Sequence, residues 1–131
     1  MTNKITTERQ TKYCQAIERE LLSVGHATNA ELLSALRKSF PGLSATTVHR
    51  ATTRLATRGI IAVAPSTCDG SMRYDANTIP HDHFQCSLCG TLRDADIKDQ
   101  VIPILEAAIG DCIISGQLTI NGTCKKCMCK N

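Results

Sequence analysis

The chain has 131 residues, of which 42% are apolar, enough for an ordinary core in one domain or two very small ones. Its charge is unevenly placed: residues 1–75 carry ten Lys/Arg against six Asp/Glu, a net of +4, while residues 76–131 carry five against six, a net of −1, as for a basic lobe suited to nucleic acid and a neutral lobe with another task. No apolar run approaches the roughly 20 residues that span a bilayer and Met1-Thr2-Asn3-Lys4 starts no signal peptide, so a cytoplasmic location is expected, in which eight cysteines serve metal or redox chemistry rather than a disulfide frame.

Residues 8–24 place Tyr13, Ala16, Ile17, Leu21 and Val24 on one helical stripe, and Gly25 ends it. His26 follows in a loop. Thr28-Asn29-Ala30-Glu31 matches a capping box, and Leu32, Leu33, Leu36 and Phe40 form the stripe of a second helix that Pro41-Gly42 stops. Ser44 caps a third helix with Val48, Ala51, Thr52 and Leu55 facing inward and the Gly of Arg58-Gly59 at its left-handed end. Its other face carries Thr46, Thr47, His49, Arg50, Thr53, Arg54 and Thr57. Two helices joined by a Pro-Gly turn fit a helix-turn-helix, or any helical hairpin with a polar outer face. A strand over 60–64, a loop over 65–70 and a strand over 71–75 favour the first, because a hairpin directly after a recognition helix is the winged-helix arrangement. Residues 77–80 read as a hinge.

From His81 on the pattern changes. Residues 84–86 and 91–94 flank Cys86-x-x-Cys89 as strands. Ile97, Val101, Ile104, Leu105 and Ala108 mark a helix in which Pro103 predicts a break near the middle. Ile114, Gly116, Leu118 and Ile120 alternate as a strand into Cys124-x-x-Cys127. Two such cysteine pairs meeting in space supply four soft ligands in the tetrahedral geometry that Zn²⁺ takes, and a structural zinc can contribute on the order of 10 kcal/mol to the folding of a small lobe. The 34 residues between Cys89 and Cys124 are too many for a zinc ribbon, so the metal would staple the ends of a small α+β unit. Cys14 and Cys112 fall in apolar patterns as packed small hydrophobes. Cys68 lies in the wing loop, and Cys129 lies in the tail, where it could compete with Cys127 for the metal.

Four stretches taken together, Gly25-His26-Ala27-Thr28-Asn29-Ala30-Glu31-Leu32, Ser44-Ala45-Thr46-Thr47-Val48-His49-Arg50, His81-Asp82-His83-Phe84-Gln85-Cys86-Ser87-Leu88-Cys89-Gly90 and Gly122-Thr123-Cys124-Lys125-Lys126-Cys127, resemble the ferric uptake regulator (Fur) family of bacterial metal-dependent repressors over nearly the whole chain. The resemblance implies an α+β protein: an N-terminal winged helix-turn-helix domain over 1–76, a hinge over 77–80, and a small C-terminal α/β dimerisation domain over 81–131 with a structural four-cysteine zinc site. Carried over by position, Cys86, Cys89, Cys124 and Cys127 hold the zinc, and His26, Asp75, His81, His83 and Asp94 hold a regulatory ion. Residue chemistry agrees: His81 and His83, at i and i+2 on a strand, project from one face while Asp82 points away. Three imidazoles and two carboxylates without thiolate suit Fe²⁺ or Mn²⁺ best, with Zn²⁺ or Co²⁺ also able to bind. A ligand set drawn from both lobes implies a switch, in which the ion sets the angle between the two winged helices of a homodimer so that both reach successive half-sites of a palindromic duplex.

Thr46, Thr47, His49, Arg50 and Arg54 are the expected DNA contacts, with His49 standing where the family usually has tyrosine. Some relatives hold a further ion where this chain has Pro80 and Gln117, so that site is expected to be absent. Aspartate rather than glutamate at Asp75 resembles the peroxide-sensing (PerR-type) members, implying that Fe²⁺ at this site reacts with H₂O₂ and oxidises His26 or His81. The rivals are an iron-, manganese- or zinc-responsive repressor without peroxide chemistry, a metalloenzyme built on Asp75, His81, His83 and Asp94, and a zinc-stapled interaction module without a regulatory ion. A DNA-reading element over 28–58 and no substrate pocket upstream favour a repressor over an enzyme.

Overall fold

In the computed structural model, which describes residues 4–129 with side chains from Lys12 onward, the N-terminal stripe forms α1 (Lys4–Val24), with Ile17 and Leu21 fully buried. Val24, the last residue of the predicted stripe, is exposed, because Gly25 leaves the helix one residue later at φ 86°. Next comes β1 (His26–Thr28), where the pattern predicts a loop. It pairs antiparallel with β3 (Arg73–Asp75), His26 opposite Asp75 and Thr28 opposite Arg73. Three residues are too few to show an alternation, so only the distant partner makes them a strand.

Thr28 then caps α2 (Asn29–Leu36) with the full capping box: the Glu31 amide donates to Thr28 Oγ1 at 3.2 Å and the Thr28 amide to Glu31 Oε1 at 3.1 Å. The helix ends well before Pro41-Gly42, the expected stop. The amides of Ser39 and Phe40 both donate to Leu36 O, and Arg37 Nε donates to Leu43 O at 3.0 Å. These turns bring Phe40 edge-to-face against Tyr13, ring centroids 5.3 Å apart. In α3 (Ala45–Thr57), the Thr47 amide donates to the Ser44 cap at 3.2 Å, and Val48, Ala51, Thr52 and Leu55 are buried as the pattern requires. Gly59, at φ 74°, takes the left-handed turn after its end. β2 (Ala62–Ala64) and β3 complete a sheet of order β1-β3-β2, each strand shorter than expected. This is the winged helix-turn-helix, built on Ile17, Leu21, Leu32, Leu36, Leu43, Val48, Leu55, Ile61 and one buried aromatic, Tyr74.

The chain divides into two units, Met1–Thr78 and Ile79–Asn131. The second contains β4 (Asp82–Cys86), β5 (Leu92–Ala95), α4 (Lys98–Ile109), β6 (Thr119–Gly122) and α5 (Lys125–Met128). Its sheet has the order β5-β4-β6, with β5 antiparallel and β6 parallel to β4. α4 runs through Pro103 without the predicted break. Pro103 is exposed, and the one carbonyl it leaves without a helical partner, that of Asp99, lies in the exposed first turn, where water can serve it. The strand predicted from Ile114 is shorter than its alternation, because Gly116 breaks the extended run at φ 84°. Among the described residues, no helix is long and apolar enough to cross a membrane.

Asp82 points away from the histidines, as expected, and into a task that its sequence position does not reveal. Its buried carboxylate accepts from the Leu118 amide at 3.0 Å while the His83 amide donates to Leu118 O, so it starts the pairing of β6. Asp82→Ala leaves that amide without its acceptor, and we expect a loss of about 1–3 kcal/mol. The check is the urea midpoint by circular dichroism; an unchanged midpoint contradicts this role.

Candidate metal centres and nucleic-acid face

Cys86 closes β4 and Cys89 ends the knuckle after it, while Cys124 is the N-cap of α5 and Cys127 lies within that helix. Strand pairing brings the two knuckles together: Cys86 stands opposite Gly122 in the parallel ladder, and the Ser87 amide donates to Gly122 O at 2.8 Å. A Cβ at Gly122 would come within 3.2 Å of the Phe84 ring, so a larger residue there would need that ring to shift by a few tenths of an ångström. The Cys86 and Cys127 sulfurs are 3.7 Å apart, as are those of Cys89 and Cys124, and all four lie within 4.8 Å of one another. A zinc tetrahedron with metal–sulfur bonds of about 2.3 Å has edges of about 3.8 Å, so the four fit that ion. All four are free thiols. Cys129, which the sequence leaves as a competitor, is the C-cap of α5 and outside the cluster.

The surroundings favour thiolates unequally. The Cys124 amide, then the Cys89 amide, donate to Cys86 Sγ and push it down to about 5. Cys89 is lowered by the Thr91 hydroxyl, 3.1 Å away. Cys127 is raised to about 12, first by its hydrogen bond with Cys124, then by burial and Cys86. A cluster that readily ionises on one side and resists on the other calls for a cation to hold all four thiolates.

The histidines and aspartates form two groups, one in each unit. In the first, the β1–β3 register sets His26 opposite Asp75, with His26 Nε2 3.3 Å from Asp75 Oδ2; Asp75 Oδ1 accepts from the Asn77 amide at 2.9 Å. In the second, the β4–β5 register sets His83 opposite Asp94. His81 Nε2 and His83 Nε2 lie 3.1 and 3.5 Å from the same Asp94 Oδ1, with ring centroids 4.4 Å apart. His81 Nδ1 is 2.7 Å from Ile79 O, a contact that needs the proton on Nδ1. In neutral His81 the other nitrogen then turns a lone pair toward a carboxylate oxygen, and only a proton or a metal cation makes that favourable. His81, His83 and Asp94 thus fit three positions around a divalent transition-metal ion.

The predicted DNA contacts lie on α3. Thr46, His49, Arg50 and Arg54 are exposed, whereas Thr47 is partly buried and its hydroxyl lies 2.8 Å from the Ser44 cap. His49, Arg50, Thr53, Arg54, Thr57 and Arg58 line an open concavity of about 450 Å³. Arg58 belongs to this face although its sequence position, at the helix end, marked it only as a cap; its i+4 spacing from Arg54 was the available signal. Asn29, which sequence treats only as part of the capping box, joins α2 to α3 through Thr52 and His49.

The model of the ferric uptake regulator family matches residues 2–110. The peroxide-responsive repressor PerR of Staphylococcus epidermidis is 31% identical over 127 residues, spanning 95% of this chain and 81% of that protein. The Campylobacter jejuni peroxide stress regulator shares the fold with a TM-score of 0.72 at 24% identity over 95% of each chain. The ferric uptake regulator of Helicobacter pylori, whose structure reveals three functional metal-binding sites, matches with a TM-score of 0.72 at 21% identity over 95% of this chain and 88% of that one.

Proposed function

This chain belongs to the ferric uptake regulator family, whose members are transcription regulators and not enzymes, and on that premise we propose that it represses transcription in the cytoplasm and senses peroxide through an iron ion. The coarse activity, a metal-responsive repressor that binds DNA as a dimer, comes with the family. In the finer reading His26, Asp75, His81, His83 and Asp94 bind one regulatory Fe²⁺ or Mn²⁺, and Cys86, Cys89, Cys124 and Cys127 hold a structural Zn²⁺. Residues 1–76 read DNA through Thr46, Thr47, His49, Arg50 and Arg54, residues 77–80 are the hinge, and residues 81–131 dimerise.

The observation that carries this reading is the convergence of His81 Nε2 and His83 Nε2 on Asp94 Oδ1 at 3.1 and 3.5 Å. It is supported by the His26–Asp75 pair at 3.3 Å, a second nitrogen–carboxylate group of the same chemistry. An ion shared by both groups ties the DNA-binding unit to the dimerisation unit, and its loss releases them. When bound, Fe²⁺ supplies one-electron chemistry toward H₂O₂ that Zn²⁺ lacks. By the family resemblance, His26 and His81 are the ligand rings that this oxidation modifies.

Iron-loaded protein treated with H₂O₂ is expected to gain oxygen on the peptides containing His26 or His81, and zinc-loaded protein is not. Intact mass followed by peptide mapping checks this. If neither peptide gains oxygen, peroxide sensing is excluded and metal-responsive repression alone stands.

A further inference from the structure

The DNA-facing surface contains a hydrogen-bonded chain that neither metal group uses. Thr52, fully buried on α3, has one hydroxyl proton and three acceptors within reach, Asn29 Oδ1 at 2.8 Å and the Val48 and His49 carbonyls at 3.1 Å, and the shortest of the three assigns that proton to Asn29 Oδ1. That bond turns the nitrogen end of the Asn29 amide outward, and Asn29 Nδ2 stands 3.3 Å from His49 Nδ1. An amide NH₂ only donates, so His49 Nδ1 must accept with its lone pair, and the single proton of the neutral ring belongs on Nε2. His49 itself is exposed, at the rim of the concavity shared with Arg50 and Arg54.

We propose that Asn29 and Thr52 are positioning residues for DNA readout: they hold His49 as the Nε2–H tautomer, so that it meets the duplex as a hydrogen-bond donor to an acceptor atom. The groups on DNA that take such a donor are purine N7 or guanine O6 in the major groove and phosphate oxygen on the backbone. The arginines beside it bring charge, which is indifferent to sequence when spent on phosphate. A ring of fixed tautomer brings direction, and it rejects a base edge that itself presents a donor. The inference rests on the DNA-binding reading above, but the tautomer is a property of the protein without DNA.

The first measurement is therefore the long-range ¹H–¹⁵N spectrum of the imidazoles of the zinc-containing protein without DNA, assigned by the loss of signals in His49→Ala. The expected result is a protonated Nε2 and an acceptor-type Nδ1 at His49, reversed in Asn29→Asp, whose carboxylate can only accept. An Nδ1–H ring in the native protein overturns the proposal.

The second uses a duplex selected from a randomised pool by the metal-loaded native protein. Failure of any duplex to be selected sinks the DNA-binding reading and not the tautomer. His49→Gln places an amide NH₂ near the Nε2 position and should stay within about threefold of native affinity. His49→Asn places it near Nδ1 and should lose about tenfold per half-site, the worth of one hydrogen bond. Equal losses for Gln and Asn, or none for either, overturn the proposal. The acceptor is then located by 7-deazapurine and by methylphosphonate substitution, one position at a time. A position where the penalty of His49→Asn vanishes identifies a base edge or a phosphate respectively; no such position in either series counts against the contact.

Discussion

Cys86→Ser and Cys124→Ser are expected to lose zinc and unfold the second unit, leaving a monomer that does not bind DNA. The reason is the composition of that unit's interior. Among its described residues the buried apolar groups are Cys86 and Cys124 themselves, while Ile104 and Ile109 on α4, and Ile113 beyond it, are largely exposed. The other buried side chains there, Asp82, His83 and Gln85, are polar and bring no hydrophobic gain. A unit without an aliphatic core must draw its stability from the ion and from a partner copy, and structural zinc supplies on the order of 10 kcal/mol. Serine binds zinc poorly and leaves three thiols crowded within 4.8 Å, in surroundings that already raise Cys127 to about 12. Metal content by mass spectrometry, circular dichroism and light scattering are the measurements. Cys129→Ser and Cys14→Ser serve as controls that retain zinc and dimer. Full zinc content in Cys86→Ser would remove the cluster from the account.

The second large effect concerns the switch. Each of His26→Ala, Asp75→Ala and Asp94→Ala is expected to reduce the stimulation of DNA binding by Mn²⁺ by roughly hundredfold, toward the upper range of allosteric couplings, with metal-free binding unchanged. Manganese titrations followed by fluorescence anisotropy measure it. The choice of three positions separates the possible arrangements. His26 and Asp75 belong to the first unit and Asp94 to the second, so an ion held by one unit alone would leave at least one of these variants fully responsive. Unchanged stimulation in all three would make the protein a zinc-stapled module without a regulatory ion.

Much of the first unit was legible residue by residue. The capping box at Thr28 and Glu31, the Ser44 cap, the inward set Val48, Ala51, Thr52 and Leu55, and the left-handed Gly59 are local signals satisfied within a turn or two of the residue that sends them. The misread elements depend on partners far away in sequence. Local pattern places His26 in a loop because nothing within three residues makes a strand; Arg73 to Asp75 do. The apolar stripe of the second helix extends to Phe40 because an apolar residue at helical spacing looks the same whether it continues the helix or folds back, as Phe40 does onto Tyr13. Pro103 predicts a break from its residue type alone, whereas its position near an exposed helix entrance makes the lost bond cheap.

The same division runs through the metal residues. Sequence alone determined which side chains can offer metal ligands: two Cys-x-x-Cys knuckles and a His-x-His pair by ligand type and i, i+2 or i, i+3 spacing, which are local properties, and His26, Asp75 and Asp94 only through the family resemblance. Tertiary structure alone decided how they are arranged. The parallel β4–β6 pairing brings sulfurs 41 and 35 residues apart in sequence, those of Cys86 with Cys127 and of Cys89 with Cys124, to 3.7 Å, the β1–β3 register sets His26 against Asp75, and the β4–β5 register sets His83 against Asp94. It also decided what the pattern could not express, the clamp of Asp82 on Leu118 and the hold of Asn29 on His49. Ladder register is fixed by the burial of both strands at once, and no window of sequence contains both.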